Sequence, residues 1–407
     1  MRRVACAPSR PGHNPAVAPD RTPPPARRSR RAAVLANLAL AAAALALSLV
    51  AAEAGVRLLT RTGPSLLVAD PLVGKRFLPG FASRVFVPEC DCEVELRFNR
   101  DGLRGPDRPY AKPPGLRRVA LVGDSMVAAV ATLEERTLAR SLERLLAASR
   151  PDAKWEVLNA GVSSSSTGSE LALYREVLAR YSPDLVVVLF WVGNDLADNS
   201  LALTRAPRLY FDLDREGRLL QLPFAFQPSP IVEWLDRKSR LYVWQKSALR
   251  QARAKLRSRA GVLDPVELVF ARPEPDEAAH AWAITAALLR AFQAETTARG
   301  TRLVLVAAPA AVQVYDDLWA ELEARAVRAG IPLAREHPDE RLAELCREAG
   351  IPFLTLLASF RDAAPRRDST RPEERLYYEG RFHWNDAGNL LAAARVHAFL
   401  AEVNLGD

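Results

Sequence analysis

Apolar positions along this chain follow three rhythms, and each predicts a different kind of element. From Ala32 to Ala52 the residues are apolar or small on every face, interrupted only by Asn37 and Ser48. These 21 residues at about 1.5 Å each span roughly 30 Å, the thickness of a bilayer core. From Gly63 to about Pro114 short alternating pieces, Val85 to Val87 and Val94 to Phe98, are separated by the turn pairs Pro79-Gly80, Asp101-Gly102 and Pro113-Pro114. That alternation predicts half-buried strands. From Arg117 onward, short apolar runs alternate with stretches in which apolar residues recur every third or fourth position. The runs at 118–122, 155–159, 184–191, 302–308 and 352–356 predict strands, and 134–149, 169–181, 277–299, 316–329 and 387–403 predict helices.

Runs as uniformly apolar as Leu185 to Phe190 belong to a parallel sheet covered on both faces. The expected fold is therefore α/β, a three-layer α/β/α arrangement with a mostly parallel five-stranded sheet. Residues 1–31 are Pro- and Arg-rich without apolar period and predict a disordered basic tail. Residues 32–56 form a membrane anchor, 57–116 a β-rich lead-in, and 117–407 the main domain. The stretch 198–276 is too long for one crossover and is rich in Arg, Pro and aromatic residues. It reads as an insertion near the active face, where substrate selectivity could sit.

Charge sharpens the membrane reading. The formal net charge is +8, yet residues 1–31 hold eight arginines against Asp20 alone, which accounts for +7 of it. The remainder is close to neutral, so no nucleic-acid surface is implied. Arginines before the apolar run, with only Arg57 and Arg61 close behind it, place the N-terminus in the cytoplasm and the main domain outside. The competing reading is a cleaved signal peptide, for which Val50 to Ala54 offers small residues; the arginine-rich leader is long for one. Four cysteines are present. Cys90 and Cys92 are too near for an easy mutual bridge, and either could pair with Cys346 in an oxidising compartment. A zinc site would need a second ligand pair that the sequence lacks.

The candidate chemistry falls at the ends of the expected strands. The run Val119 to Val122 stops at Gly123-Asp124-Ser125 and feeds a helical pattern through Glu134, Leu138, Leu142 and Leu145. Ser125 thus lies at the carboxyl edge of the sheet, where open α/β folds bind ligands. A serine needs a base to remove its proton and donors for the oxyanion that forms when it attacks a carbonyl. The second strand ends in the small-residue loop Asn159 to Ser164, the third in Gly193-Asn194-Asp195, and His383 stands just before the last helix.

In these blocks the chain resembles the SGNH (GDSL) hydrolase superfamily, from about residue 97 to 402. The lead-in Phe98-Asn99-Arg100-Asp101-Gly102-Leu103-Arg104-Gly105 is similar to that of the bacterial membrane-anchored branch. The resemblance implies a flavodoxin-like fold and a serine esterase with no metal or organic cofactor. Its implied substrate is an ester of a small acyl group on an envelope carbohydrate or lipid. It makes Ser125 the nucleophile, His383 the base, and the Ser125 amide, Asn194 and the second-block residue the oxyanion hole. That second-block position, a glycine in the family, is Ser164 here; a backbone N–H survives the exchange, and Gly161 is the neighbouring alternative. Asp124 and Trp384 are supporting candidates, with Trp191 beside them as pocket wall or core. The family places an aspartate two or three residues before the histidine, whereas this chain has Arg381 and Gly380. Glu379 or a backbone carbonyl is left to orient the imidazole. An O-acyltransferase acting on a cell-envelope glycan, or a degenerate glycan-binding module, would use the same blocks.

Overall fold

The computed structural model describes residues 30–60, 65–224, 229–259, 263–364, 375–378 and 383–403. Helix α1 (Arg30–Leu59) contains the apolar run and is long and apolar enough to cross a membrane. The chain divides into two units between Ala52 and Glu53, inside this helix.

The second unit opens with two antiparallel pairs: β1 (Leu67–Asp70) with β2 (Gly74–Phe77), and β3 (Ala82–Val87) with β4 (Cys92–Arg97). In β4 the buried Val94 and Leu96 alternate with the exposed Glu93 and Glu95, the period-2 signature of a half-buried strand. Val94, Leu96, Phe77 and Phe98 share a small core with Ala128 and Ala131, so this hairpin packs against the segment immediately after Ser125. Cys90 and Cys92 form a disulfide across its turn. This corrects the reading that the two are too near for an easy mutual bridge; Cys346, the other partner the sequence allowed, is a buried free thiol. The turn brings the two Cα atoms to 5.1 Å, well inside bridging range despite the single intervening residue.

The main layer follows as β5 (Leu116–Gly123), α2 (Ser125–Ala128), α3 (Leu138–Ser149), β6 (Lys154–Gly161), α4 (Thr167–Glu176), β7 (Leu185–Trp191) and α5 (Asp195–Asp198). Next come a small hairpin, β8 (Phe211–Leu213) with β9 (Leu219–Gln221), and the helices α6 (Pro230–Lys238), α7 (Arg240–Arg259) and α8 (Asp276–Ala298). The chain ends with β10 (Arg302–Ala308), α9 (Ala311–Val314), α10 (Asp316–Ala329), α11 (His337–Ala349), β11 (Phe353–Thr355), α12 (Leu357–Ala363) and α13 (Asp386–Glu402).

Five strands form one parallel sheet in the order β6-β5-β7-β10-β11, the doubly wound flavodoxin-like topology. Alternate residues feed opposite cores. Ala120, Val122, Val186 and Val188 face the layer holding Leu171, Trp282, Leu288 and Leu342. Val119, Leu121, Val187 and Leu189 face the one holding Leu142, Phe360, Val396 and Leu400. Both faces are covered, which is why these strands read as continuous apolar runs. Each of the five strands of this sheet lies where the sequence pattern put it, to within two residues. The pattern left out α11, whose Pro338 reads as a breaker but sits in the first turn, where a missing N–H costs nothing. The reversal of strand order between β5 and β7 opens the crevice at which Ser125 lies.

Candidate active site

Strand β5 delivers the serine through a turn with no room for side chains. A Cβ on Gly123 would stand 2.6 Å from Val127 Cγ2 and 2.9 Å from the Leu189 carbonyl oxygen. Asp124, wholly buried, caps α2 by accepting the Met126 N–H at 2.9 Å. Ser125 is the first residue of that one-turn helix, so its own N–H has no intrahelical acceptor. The far end of α2 is held by Arg104 from the lead-in. Its buried guanidinium donates to the carbonyl oxygens of Ala128 at 2.7 Å, Thr132 at 2.6 Å, and Ala129. Ala129 has φ +44 and ends the helix.

His383 arrives from the opposite end of the chain. Asn385 caps α13 by accepting the Gly388 N–H at 3.0 Å, and Tyr378 N–H donates to the His383 carbonyl at 3.0 Å. This clip sets the ring 2.7 Å (Nε2) from Ser125 Oγ. Trp191 flanks the imidazole with ring centroids 5.7 Å apart.

The other ring nitrogen, Nδ1, lies 2.7 Å from Glu89 Oε1. Glu89 sits in the β3–β4 turn, next to the Cys90–Cys92 bridge. A carboxylate there accepts the Nδ1 proton, which assigns Nε2 as acceptor for the serine hydroxyl. Burial by itself would lower the His383 pKa. The hydrogen bond and charge of Glu89, with Asp124 behind, outweigh burial and hold it above the ordinary 6.5. Sequence reasoning missed Glu89. The available signal was a turn carrying Glu89 and Asp91 between two alternating strands, together with the absence of an aspartate before His383. Glu379 lies outside the described residues.

The other sequence candidates divide. Ser164 is exposed, has φ +61, and donates its N–H to no described residue. It therefore holds the left-handed conformation that a glycine would adopt without strain. Gly161 is buried and spends its N–H on Asn159 Oδ1 at 3.1 Å, and a Cβ there would meet the Ala128 nitrogen at 2.1 Å. Its role is to let α2 pack on β6. Asn194 Nδ2 lies 3.1 Å from Asp198 Oδ2 and also bonds Asp124, so in this resting arrangement the amide faces buried carboxylates. Trp384 is 2 % exposed and packs on Phe360 in the core.

Behind Ser125 lies a buried group of acids: Asp124, Glu170, Asp195 and Asp198. Arg208 pairs with Asp198 at 2.5 Å, and Ser165 donates to Glu170 at 2.8 Å. Burial, with the charges of Asp124 and Asp198, pushes Glu170 up to about 8. The shift favours its protonated form, so the group carries less charge than its composition suggests.

Comparison with known proteins gives the family. The model of the GDSL-like Lipase/Acylhydrolase family matches residues 121–391. Among solved structures, a lipase/acylhydrolase from Enterococcus faecalis is 15 % identical over 70 % of this chain and 96 % of its own, with a TM-score of 0.35. A variant of an acetyl xylan esterase from Geobacillus stearothermophilus is 15 % identical over 71 % and 95 %, with a TM-score of 0.37. A two-domain esterase active on acetylated mannans is 13 % identical over 71 % of this chain and 49 % of its own, again at 0.37. No curated protein matches the sequence.

Proposed function

The chain belongs to the GDSL-like lipase/acylhydrolase family, and on that premise we propose that it is a membrane-anchored serine esterase working through Ser125, His383 and Glu89. The observation that carries this reading is the continuous relay from Ser125 Oγ to His383 Nε2 and from His383 Nδ1 to Glu89, both contacts at 2.7 Å.

In the first half-reaction Ser125 Oγ attacks the ester carbonyl carbon while His383 Nε2 takes the hydroxyl proton. Glu89 stabilises the imidazolium so formed. The tetrahedral oxyanion accepts from the N–H groups of Ser125 and Ser164 and from the Asn194 amide, which turns from Asp198 to reach it. The C–O bond to the alcohol then breaks, and that alcohol leaves with the proton from Nε2. In the second half-reaction water attacks the acyl carbon, His383 takes its proton, and the carboxylic acid departs as Ser125 recovers the hydrogen. The substrate is an ester of a small acyl group on an envelope carbohydrate or lipid. The arginine-rich leader before the apolar run supports a cytoplasmic N-terminus with the enzyme outside, and the Cys90–Cys92 bridge fits an oxidising compartment.

Labelling with a fluorophosphonate probe, located by mass spectrometry, tests the nucleophile. Modification of Ser125 and turnover of p-nitrophenyl acetate, both lost in Ser125→Ala, are the expected results. Folded protein that neither labels nor turns over would overturn the esterase in favour of a glycan-binding module. Acyl transfer that depends on an added saccharide would identify the acyltransferase instead.

A further inference from the structure

Helices α6 and α7 take no part in the relay, yet they carry a surface that is costly to leave in water. Along one side of α7, Leu241, Trp244, Ala248, Leu249, Ala252 and Leu256 recur at helical spacing. Of these Trp244 is 46 %, Leu249 53 % and Leu256 65 % exposed, and α6 adds Ile231 at 71 % and Trp234 at 60 %. A second row, Lys246, Arg250 and Arg253, follows the same spacing on the neighbouring side. Arg240–Arg259 contains seven basic residues and no acid, so a body that is nearly neutral as a whole concentrates its positive charge here. Lys246 pairs with Asp236 at 2.7 Å, whereas Arg250 and Arg253 are exposed and have no carboxylate partner among the described residues.

The start of α7 is also fastened to one particular place in the chain. Glu53, the first residue beyond the apolar run, accepts the N–H groups of Arg240 and Leu241 and the Ser239 hydroxyl, each at 2.9 Å. One turn later Arg57 donates to the Lys238 carbonyl at 2.8 Å. The cationic, apolar helix therefore begins where the chain would emerge from a bilayer.

We infer that α6 and α7 form a platform lying in the headgroup–acyl boundary of the membrane that α1 enters, with anionic phospholipid as its partner; this rests on the membrane-span reading of α1. A soluble acidic protein would satisfy the arginines and leave the Trp/Leu row in water. An apolar protein groove would bury that row and strand the charges. The lipid boundary takes both, with aromatic and aliphatic side chains among the acyl chains and arginines on the phosphates.

The full chain, reconstituted in phosphatidylcholine/phosphatidylglycerol vesicles whose acyl chains are brominated, provides the test. Trp234 and Trp244 are two of seven tryptophans, and α1 contains none, so bromine quenching reports the platform and not the anchor. The expected result is a loss of about a quarter of the emission, abolished in Trp234→Phe/Trp244→Phe. It should fall by at least half in Arg250→Glu/Arg253→Glu or in pure phosphatidylcholine. Equal quenching in wild type and the double tryptophan variant, in vesicles that retain the protein through a carbonate wash, overturns the platform alone. Protein stripped by carbonate overturns the membrane span and the platform together. Absence of quenching with disulfide crosslinking between copies of a Leu249→Cys chain would reassign the face to a homodimer.

Discussion

Glu89→Gln removes one charge while preserving side-chain shape, and so separates two contributions of this carboxylate to His383. The first is electrostatic. Glu89 lies 2.7 Å from Nδ1 with its side chain 15 % exposed, facing a ring that becomes cationic only as the serine proton moves. A hydrogen bond to a charged partner is worth about 1.5–3 kcal/mol, and 1.36 kcal/mol is tenfold in rate, so losing it costs roughly 10- to 150-fold. The second is the tautomer. A carboxylate only accepts, which keeps the proton on Nδ1 and leaves Nε2 free for Ser125. A glutamine amide can donate to Nδ1, which moves the ring proton to Nε2 and blocks the base. The equivalent carboxylate-to-amide exchange in a serine-protease triad costs about 10⁴ in kcat.

The expected kcat on p-nitrophenyl acetate is therefore about 10³- to 10⁴-fold down for Glu89→Gln, but only about 10²-fold down for Glu89→Ala, which cannot impose the wrong tautomer. The acid limb of kcat/KM should also move to lower pH in both variants. Without Glu89 its hydrogen bond and charge are lost, and only the Asp124 charge is left to raise the His383 pKa against burial, which lowers it. The linked stability has the same origin. The Glu89–His383 ion pair stabilises the fold below the unfolded histidine pKa of about 6.5, and that gain disappears as pH rises through the raised folded value. Glu89→Gln within threefold of wild type, or Glu89→Ala slower than Glu89→Gln, with unchanged circular dichroism in both, would refute the orienting role.

Two further outcomes follow from the same geometry. Reducing the Cys90–Cys92 bridge with a phosphine, or Cys90→Ser/Cys92→Ser, should loosen the turn that presents Glu89 and lower kcat by a few-fold up to the ~10² loss of Glu89→Ala. Added to Glu89→Ala it should cost nothing more, and an additive loss in that cycle would show that the bridge acts elsewhere. Ser164→Gly relieves the φ of +61 and should raise stability to urea by about 1 kcal/mol with kcat unchanged. A lower midpoint, or lost activity, would show that the Ser164 side chain has a role of its own.

Much of this molecule was legible from local pattern, because the forces concerned act over a few residues. A strand buried on both faces must be apolar throughout, so Leu185–Trp191 and its neighbours were placed to within two residues. A helix that is apolar on every face and as long as a bilayer is thick announces itself in Ala32 to Ala52. Ser125 and His383 were legible because a glycine turn after a strand and a histidine before a capped helix are local motifs, and the doubly wound topology brings such edges together.

Other features depended on contacts that no short window contains. Glu89 and His383 are 294 positions apart, and Glu89 reaches the ring only because the β3–β4 hairpin buries Val94 and Leu96 against Ala128 and Ala131. The Cys90–Cys92 bridge was set by the turn between those strands, which spacing alone argued against. The exposure of Trp234, Trp244 and Leu249 is likewise a tertiary fact. Periodicity marks a face as apolar, but only the packed chain determines whether another element covers it. Hydrophobic pattern and turn chemistry are written residue by residue and dictate the scaffold. Which distant carboxylate meets the imidazole, and which apolar face is left in water, is decided when separately encoded elements pack.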